Sequence, residues 1–172
     1  MEPRKINRRE FLKFSGLGAT AFFGNRFLKA GQALKPVTSM EDFMPDAEVS
    51  ITALEKYVQI LSGAQTRVWS YEGKLLSGTG VTVQNLTGSY LGPILRVKSG
   101  TKIRLYFNNN LAEKSVLHPH GLRVPEDCDG QPMQAILPGE TKIYDFEVID
   151  RAGPYWFHPH PMMRTADRKS VV

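Results

Sequence analysis

The chain has 172 residues, of which 41% are hydrophobic and 23% charged, and this composition excludes a disordered or membrane-embedded protein. The length suits one domain with a proper core. Most of the formal charge of +5 lies in the first 33 residues, so the remainder lacks the basic surface that nucleic-acid binding needs. The single cysteine, Cys128, excludes an intramolecular disulfide and a cysteine-rich zinc module.

Residues 1–33 have the plan of an export signal, with a basic start, a short apolar run and then small residues. The pair Arg8 and Arg9, followed after one residue by Phe-Leu-Lys, resembles the twin-arginine export motif. Residues 14–24 are too few and too rich in glycine to form a stable membrane anchor. We therefore expect cleavage after Ala33 and delivery by the twin-arginine machinery to the periplasm, the cell envelope or the medium. The alternative is an amphipathic surface helix.

After a linker at residues 34–48, short β-prone runs separated by turn residues predict one all-β domain over residues 49–172. Apolar and charged residues alternate between residues 143 and 148, as in a half-buried antiparallel strand. About eight strands without an internal repeat predict a Greek-key β-sandwich. The expected strands are residues 49–53, 56–61, 67–71, 94–98, 102–108, 115–120, 142–149 and 155–160, with a turn at Glu72 and Gly73. Residues 75–92 are expected to be a long loop that could contain a hairpin.

All four histidines lie in two His-Pro-His triplets, at residues 118–120 and 158–160. Positions i and i+2 of a strand share one face, so both imidazoles of each triplet should point the same way. If the two strands lie side by side, four neutral imidazoles converge, which suits copper, zinc, iron or nickel. The alternative is two unrelated His-x-His patterns at strand ends. We favour a metal site, because each triplet follows an apolar run and no histidine occurs elsewhere.

The triplets and their surroundings resemble the first cupredoxin domain of the multicopper oxidases, the family of laccases and bilirubin oxidases. The similarity covers about residues 49–167 and implies a cupredoxin-like sandwich. One departure is Pro119, where the family often has tryptophan; proline suits an edge or a strand end and does not obviously prevent ligation. The motifs are, in order, Gly-Pro-Ile-Leu-Arg-Val at 92–97, Leu-His-Pro-His-Gly-Leu at 117–122, Asp-Gly at 129–130, Pro-Gly-Glu at 138–140 and Gly-Pro-Tyr-Trp-Phe-His-Pro-His at 153–160.

The resemblance implies copper as the cofactor. His118 matches a ligand of the type 2 copper, and His120, His158 and His160 match ligands of the paired type 3 coppers. Asp129 matches an acidic residue that hydrogen-bonds cluster water and helps to deliver protons, although an Asp-Gly pair is also a common turn. In the family, these three coppers reduce dioxygen to water, with electrons from a separate type 1 copper that oxidises a phenolic, pigment or metal-ion substrate.

The other four cluster histidines and a type 1 site do not occur in these 172 residues. Cys128 has no free histidine with which to complete a blue-copper site, so we predict an incidental thiol that is exposed or half-buried. We expect an N-terminal fragment of a multicopper oxidase, shortened by a frameshift, an early stop or an incomplete gene, and lacking the last strand of the sandwich. The alternatives are a stand-alone envelope protein that binds copper without catalysis, and a relative that has lost copper and acts through protein contacts.

Overall fold

The computed structural model describes residues 43–162, so the predicted export signal and its cleavage site lie outside the described residues. Residues 43–162 form strands and short 3-10 turns, and none of their helices is long and apolar enough to cross a membrane. The strands are β1 Ala47–Val58, β2 Thr66–Gly78, β3 Val81–Gln84, β4 Ile94–Val97, β5 Lys102–Asn109, β6 Leu117–His120, β7 Thr141–Glu147 and β8 Trp156–Pro159.

The largest sheet has four strands in the order β2-β1-β5-β7. β1 pairs antiparallel with β2 and parallel with β5, and β5 pairs antiparallel with β7. A parallel pair requires a crossover connection, which here contains the antiparallel pair β3–β4. β6 and β8 form a further antiparallel pair. The prediction of an all-β sandwich is confirmed, whereas the absence of a last strand stays a prediction.

The core forms because alternate residues of the central strands face inwards. Ile51 of β1 and Phe107 of β5 are completely buried, and Tyr144 of β7 is nearly so. The alternation predicted for residues 143–148 is therefore confirmed. The other face of the sheet carries polar pairs, in which the Arg104 guanidinium donates to both carboxylate oxygens of Asp145 at 2.8 and 2.7 Å.

Two predicted boundaries were wrong. The predicted strands at 49–53 and 56–61 are one strand, β1, which begins at Ala47 inside the predicted linker and ends at Val58, so that residues 59–61 lie outside it. The predicted loop at 75–92 contains the end of β2 and all of β3. The sheet pairs β1 with β2 from Ala47 to Val58, with one register shift between Glu48 and Val49, and this long ladder overrides the local turn-forming residues.

The turn predicted at Glu72 and Gly73 was also wrong, because Gly73 lies within β2. A Cβ atom at position 73 would lie only 2.6 Å from the Val83 side chain, so glycine permits a close approach here instead of a turn. The Asn85 side chain reinforces this approach: it accepts a hydrogen bond from the Gly73 N–H and donates one to the Gly73 carbonyl, both at 2.8 Å.

Cys128 is buried, with 2% of its surface exposed, so the prediction of an exposed or half-buried thiol was wrong. It ends the 3-10 turn Glu126–Cys128, and its thiol donates to the Asp145 carbonyl at 3.4 Å. Burial, followed by the charge of Asp127, raises the pKa of the Cys128 thiol to about 12. Cys128 is therefore a small hydrophobic residue that anchors the turn to β7.

Replacing Phe107 by alanine removes a completely buried ring. The free energy of unfolding should fall by about 3–5 kcal/mol, because the change loses buried apolar area and leaves a cavity. Urea denaturation of the full chain measures this loss. Leu61→Ala is the matched control, since Leu61 is 76% exposed, and it should change the free energy by less than about 0.5 kcal/mol. Equal losses in both variants would contradict the assigned core.

Alkylation of Cys128 by iodoacetamide at about pH 8 should be slow in the folded chain and fast in urea, because only the thiolate reacts. The folded pKa of Cys128 is raised above the ordinary value of 9.0. The buried, neutral Cys128 thiol therefore stabilises the fold below about pH 9, and this stabilisation is lost as the pH rises from 9.0 to about 12. Rapid alkylation under native conditions, at the rate found in urea, would show that the thiol is not buried.

Candidate metal centre

The pairing of β6 with β8 places the two histidine triplets side by side. His118 lies opposite His158, and His120 lies opposite Trp156. The same register continues past the end of β8, where the His160 N–H donates to the Val116 carbonyl at 3.4 Å. Since alternate side chains share a face and cross-strand partners point the same way, all four imidazoles lie on one face of this pair.

The four rings are neighbours in space. The centroid of the His118 ring lies 5.3, 5.2 and 5.2 Å from those of His120, His158 and His160. The His158 ring lies 5.4 Å from His120 and 5.8 Å from His160. The structure therefore brings together all four histidines that the sequence singled out, with His118 and His158 at the centre of the group.

The nitrogen atoms fit a metal ion that prefers imidazole. One ring nitrogen from each of His118, His120 and His158 lies within 4.8 Å of the others. The fourth histidine, His160, has a buried Nδ1 that finds no hydrogen-bond partner among residues 43–162. A buried polar atom without a partner is costly, and a metal ion would satisfy it. Neutral imidazoles suit copper, so the donor set fits the cofactor that the sequence implies.

Burial favours the neutral, metal-binding form of the central ring. Desolvation lowers the pKa of His158, and the three other histidines lower it further, although a hydrogen bond to the Pro159 carbonyl opposes them. The His158 Nδ1–H donates to that carbonyl at 2.8 Å, which leaves Nε2 as the acceptor atom. The His120 Nδ1 lies 3.2 Å from this Nε2. The hydrogen bond from Nδ1 to the Pro159 carbonyl thus leaves His158 Nε2 as the nitrogen that faces His120.

Trp156 is part of the centre and was missed by the sequence analysis. Its ring stacks on His120, with centroids 4.7 Å apart, and on His158, with centroids 4.3 Å apart. The interplanar angles are 28° and 29°, so the indole covers both imidazoles nearly face to face. Its position two residues before His158 on the same strand was the available signal.

Asp129 lies beside His118, on the loop that follows the 3-10 turn Glu126–Cys128. Its backbone carbonyl accepts a hydrogen bond from His118 Nδ1. Its carboxylate oxygen Oδ1 is 3.5 Å from the same nitrogen, and the side chain is 29% exposed. The other carboxylate oxygen, Oδ2, accepts a hydrogen bond from the Gln131 side chain. Asp129 thus contacts the centre, and its part in proton delivery stays a prediction.

Comparisons with known proteins agree with this geometry. A family model described as multicopper oxidase matches residues 70–170. The chain is 44% identical over 79 residues to the multicopper oxidase mco of Staphylococcus aureus, in a match that covers 46% of this chain and 18% of the relative. It is 27% identical over 162 residues to copper resistance protein A of Escherichia coli, covering 91% of this chain and 23% of the relative.

A solved structure shows the same architecture. The McoA multicopper oxidase from the hyperthermophile Aquifex aeolicus has a TM-score of 0.56 and 32% sequence identity, over 73% of this chain and 25% of that chain. The predicted cupredoxin-like sandwich is thereby confirmed. The chain spans about a fifth to a quarter of the length of these proteins. Because the family model matches more than half of the residues and the similar fold comes from the same family, the chain belongs to the multicopper oxidases.

Proposed function

We propose that this chain is the N-terminal domain of a multicopper oxidase and contributes four imidazole ligands to a copper cluster. The observation that supports this proposal is the group of four histidine rings on one face of β6 and β8, in which the ring centroids of His118 and His158 lie 5.2 to 5.8 Å from each other and from those of the other two histidines. Copper, when bound, would supply the redox chemistry by which dioxygen is reduced to water. By resemblance, His118 would hold the type 2 copper, and His120, His158 and His160 the type 3 coppers.

The protein's own contribution is to present neutral nitrogen donors in a fixed arrangement. The strand pairing sets the positions of the rings, burial lowers the pKa of His158 and so favours its neutral form, and the Trp156 ring restricts His120 and His158 by stacking. A site that is already arranged before the metal arrives loses less entropy on binding. This favours a tightly held metal over a transient surface contact.

Asp129 would deliver protons, which the reduction of dioxygen to water consumes. Its carboxylate is partly exposed and lies 3.5 Å from His118 Nδ1. A carboxylate that contacts both solvent and a metal ligand can accept a proton from water and hold it beside the cluster. Asp129 would therefore be the proton donor and not one of the copper ligands.

The electrons would come from a type 1 copper held by residues outside this sequence. The sequence contains four histidines and one cysteine. The histidines form the group described above, and Cys128 is buried against β7. The substrate class would be phenols, pigments or metal ions, and the copper resistance for which the Escherichia coli relative is named favours metal ions. Export through the twin-arginine machinery would place this chemistry in the periplasm or cell envelope.

A second candidate function is metal binding without catalysis. It is favoured by the fact that all four imidazoles belong to one pair of strands, so the chain needs no partner to assemble them. Such a protein would bind copper in the cell envelope and release it without oxidising a substrate. The two functions share the same ligands and differ in whether a type 1 copper is joined to them.

Copper titration of the full chain tests the shared part of both functions. The wild type should bind copper, and the double variant His118→Ala/His160→Ala should bind it at least about tenfold more weakly, because one ligand is lost from each triplet. Lys98→Ala, at an exposed position after β4, is the control and should bind like the wild type. Unchanged binding by a folded double variant would refute the site.

The DNA sequence downstream of the Pro161 codon separates the two functions. An oxidase predicts a His-Cys-His motif and further cupredoxin strands in one of the reading frames. If all frames lack them, catalysis by this gene product is refuted and copper binding alone remains.

A further inference from the structure

Gly130 brings the loop after Cys128 into direct contact with the backbone of β6. Its φ angle is +69°, in the left-handed region that glycine adopts most easily. A Cβ atom at this position would lie 2.1 Å from the Leu117 carbonyl oxygen and 2.8 Å from the His118 Cα. These are fixed backbone atoms, so any side chain at position 130 would push the loop away from the strand that carries His118.

The contact allows the backbone of the loop to hold His118. The Asp129 carbonyl accepts the hydrogen bond from His118 Nδ1. The Asp129 carboxylate is a poorer partner, because its Oδ1 is 3.5 Å from that nitrogen, beyond the usual length of an N–H···O bond. Its Oδ2 accepts from Gln131. The main chain is therefore the principal partner of the imidazole, and the side chain of residue 129 is secondary.

The carbonyl is itself fixed by the loop's other contacts. The buried Cys128 thiol donates to the Asp145 carbonyl at 3.4 Å, which ties the loop to β7. The Gln134 side chain donates to the Glu126 carbonyl at 2.9 Å, which closes the loop on its other side. Because the loop is held at several points, the Asp129 carbonyl can fix the orientation of the His118 ring. A mobile carbonyl would move together with the ring and could not fix it.

We propose that Gly130 is a positioning residue for His118: it seats the Asp129 carbonyl so that Nδ1 carries the proton and Nε2 is the nitrogen offered to copper. The inference rests on the proposed function for the identity of the metal, but the choice of tautomer is a property of the metal-free chain. A histidine whose Nδ1–H is donated to a carbonyl has its free lone pair on Nε2.

The nitrogen NMR spectrum of the histidine rings in the metal-free full chain measures this tautomer directly. The wild type should show His118 protonated at Nδ1. Asp129→Ala should keep that tautomer, since it retains the carbonyl, while Gly130→Ala should give a mixture. Gly139→Ala is the matched control: its φ is +81°, but a Cβ there meets no atom within 4 Å. It should keep the wild-type tautomer.

Copper titration of the same variants gives the second measurement. Gly130→Ala should weaken binding by about ten- to a hundredfold, the usual effect of losing a partner that orients a ligand. Gly139→Ala should change binding less than about twofold. If the wild type binds no copper but shows the single tautomer, the proposed function fails and the positioning by the loop stands.

Three results would overturn the inference: a mixture of His118 tautomers in the wild type, a tautomer lost in Asp129→Ala, or a folded Gly130→Ala that keeps both the tautomer and the affinity. If circular dichroism shows that Gly130→Ala is unfolded, the wild type and Asp129→Ala still decide the matter. A mixture in either of them refutes positioning by the carbonyl, and the single tautomer in both supports it.

Discussion

The cross-strand pairing of His118 with His158 is the contact on which the whole histidine centre depends. Once these two residues face each other, the two-residue period of a strand puts His120 and His160 on the same face, one on each side. A shift of the pairing by one residue would send one triplet to the opposite face. The register of two four-residue strands therefore decides whether the chain has a metal site at all.

Such short strands cannot hold a register by themselves, because an isolated pair of strands is marginal in water and β7 separates β6 from β8 in the chain. Contacts with the core of the sandwich fix the register of β6 and β8. Leu117 is buried in the core, and its N–H donates to the Tyr144 hydroxyl at 3.3 Å. On β8, the Phe157 ring packs edge-on against Tyr71, with centroids 5.6 Å apart. The core thus determines the register of the pair, and the register arranges the imidazoles.

Sequence reasoning succeeded where a short-range rule determines the structure. The spacing within each triplet placed its imidazoles on one face, and the alternation around Tyr144 placed that strand half in the core. It failed where the structure depends on what lies opposite a residue. Gly73 permits contact with β3, Gly130 permits contact with β6, and neither contact is visible in the neighbouring sequence. Trp156 was overlooked because half of its role, the stacking on His120, comes from facing that residue across the pair.

The prolines between the histidines have a consequence for the edges of the β6–β8 pair. Hydrogen-bonded and non-hydrogen-bonded pairs alternate along an antiparallel ladder, and the bond from His160 to Val116 assigns the histidine positions to the bonded set. Pro119 and Pro159 therefore occupy positions where an N–H would point outwards, and they have none. With the outward Leu117 N–H taken by Tyr144, the pair offers few donors to a foreign strand. The prolines that separate the histidines thus also protect this strand pair against strand addition and aggregation.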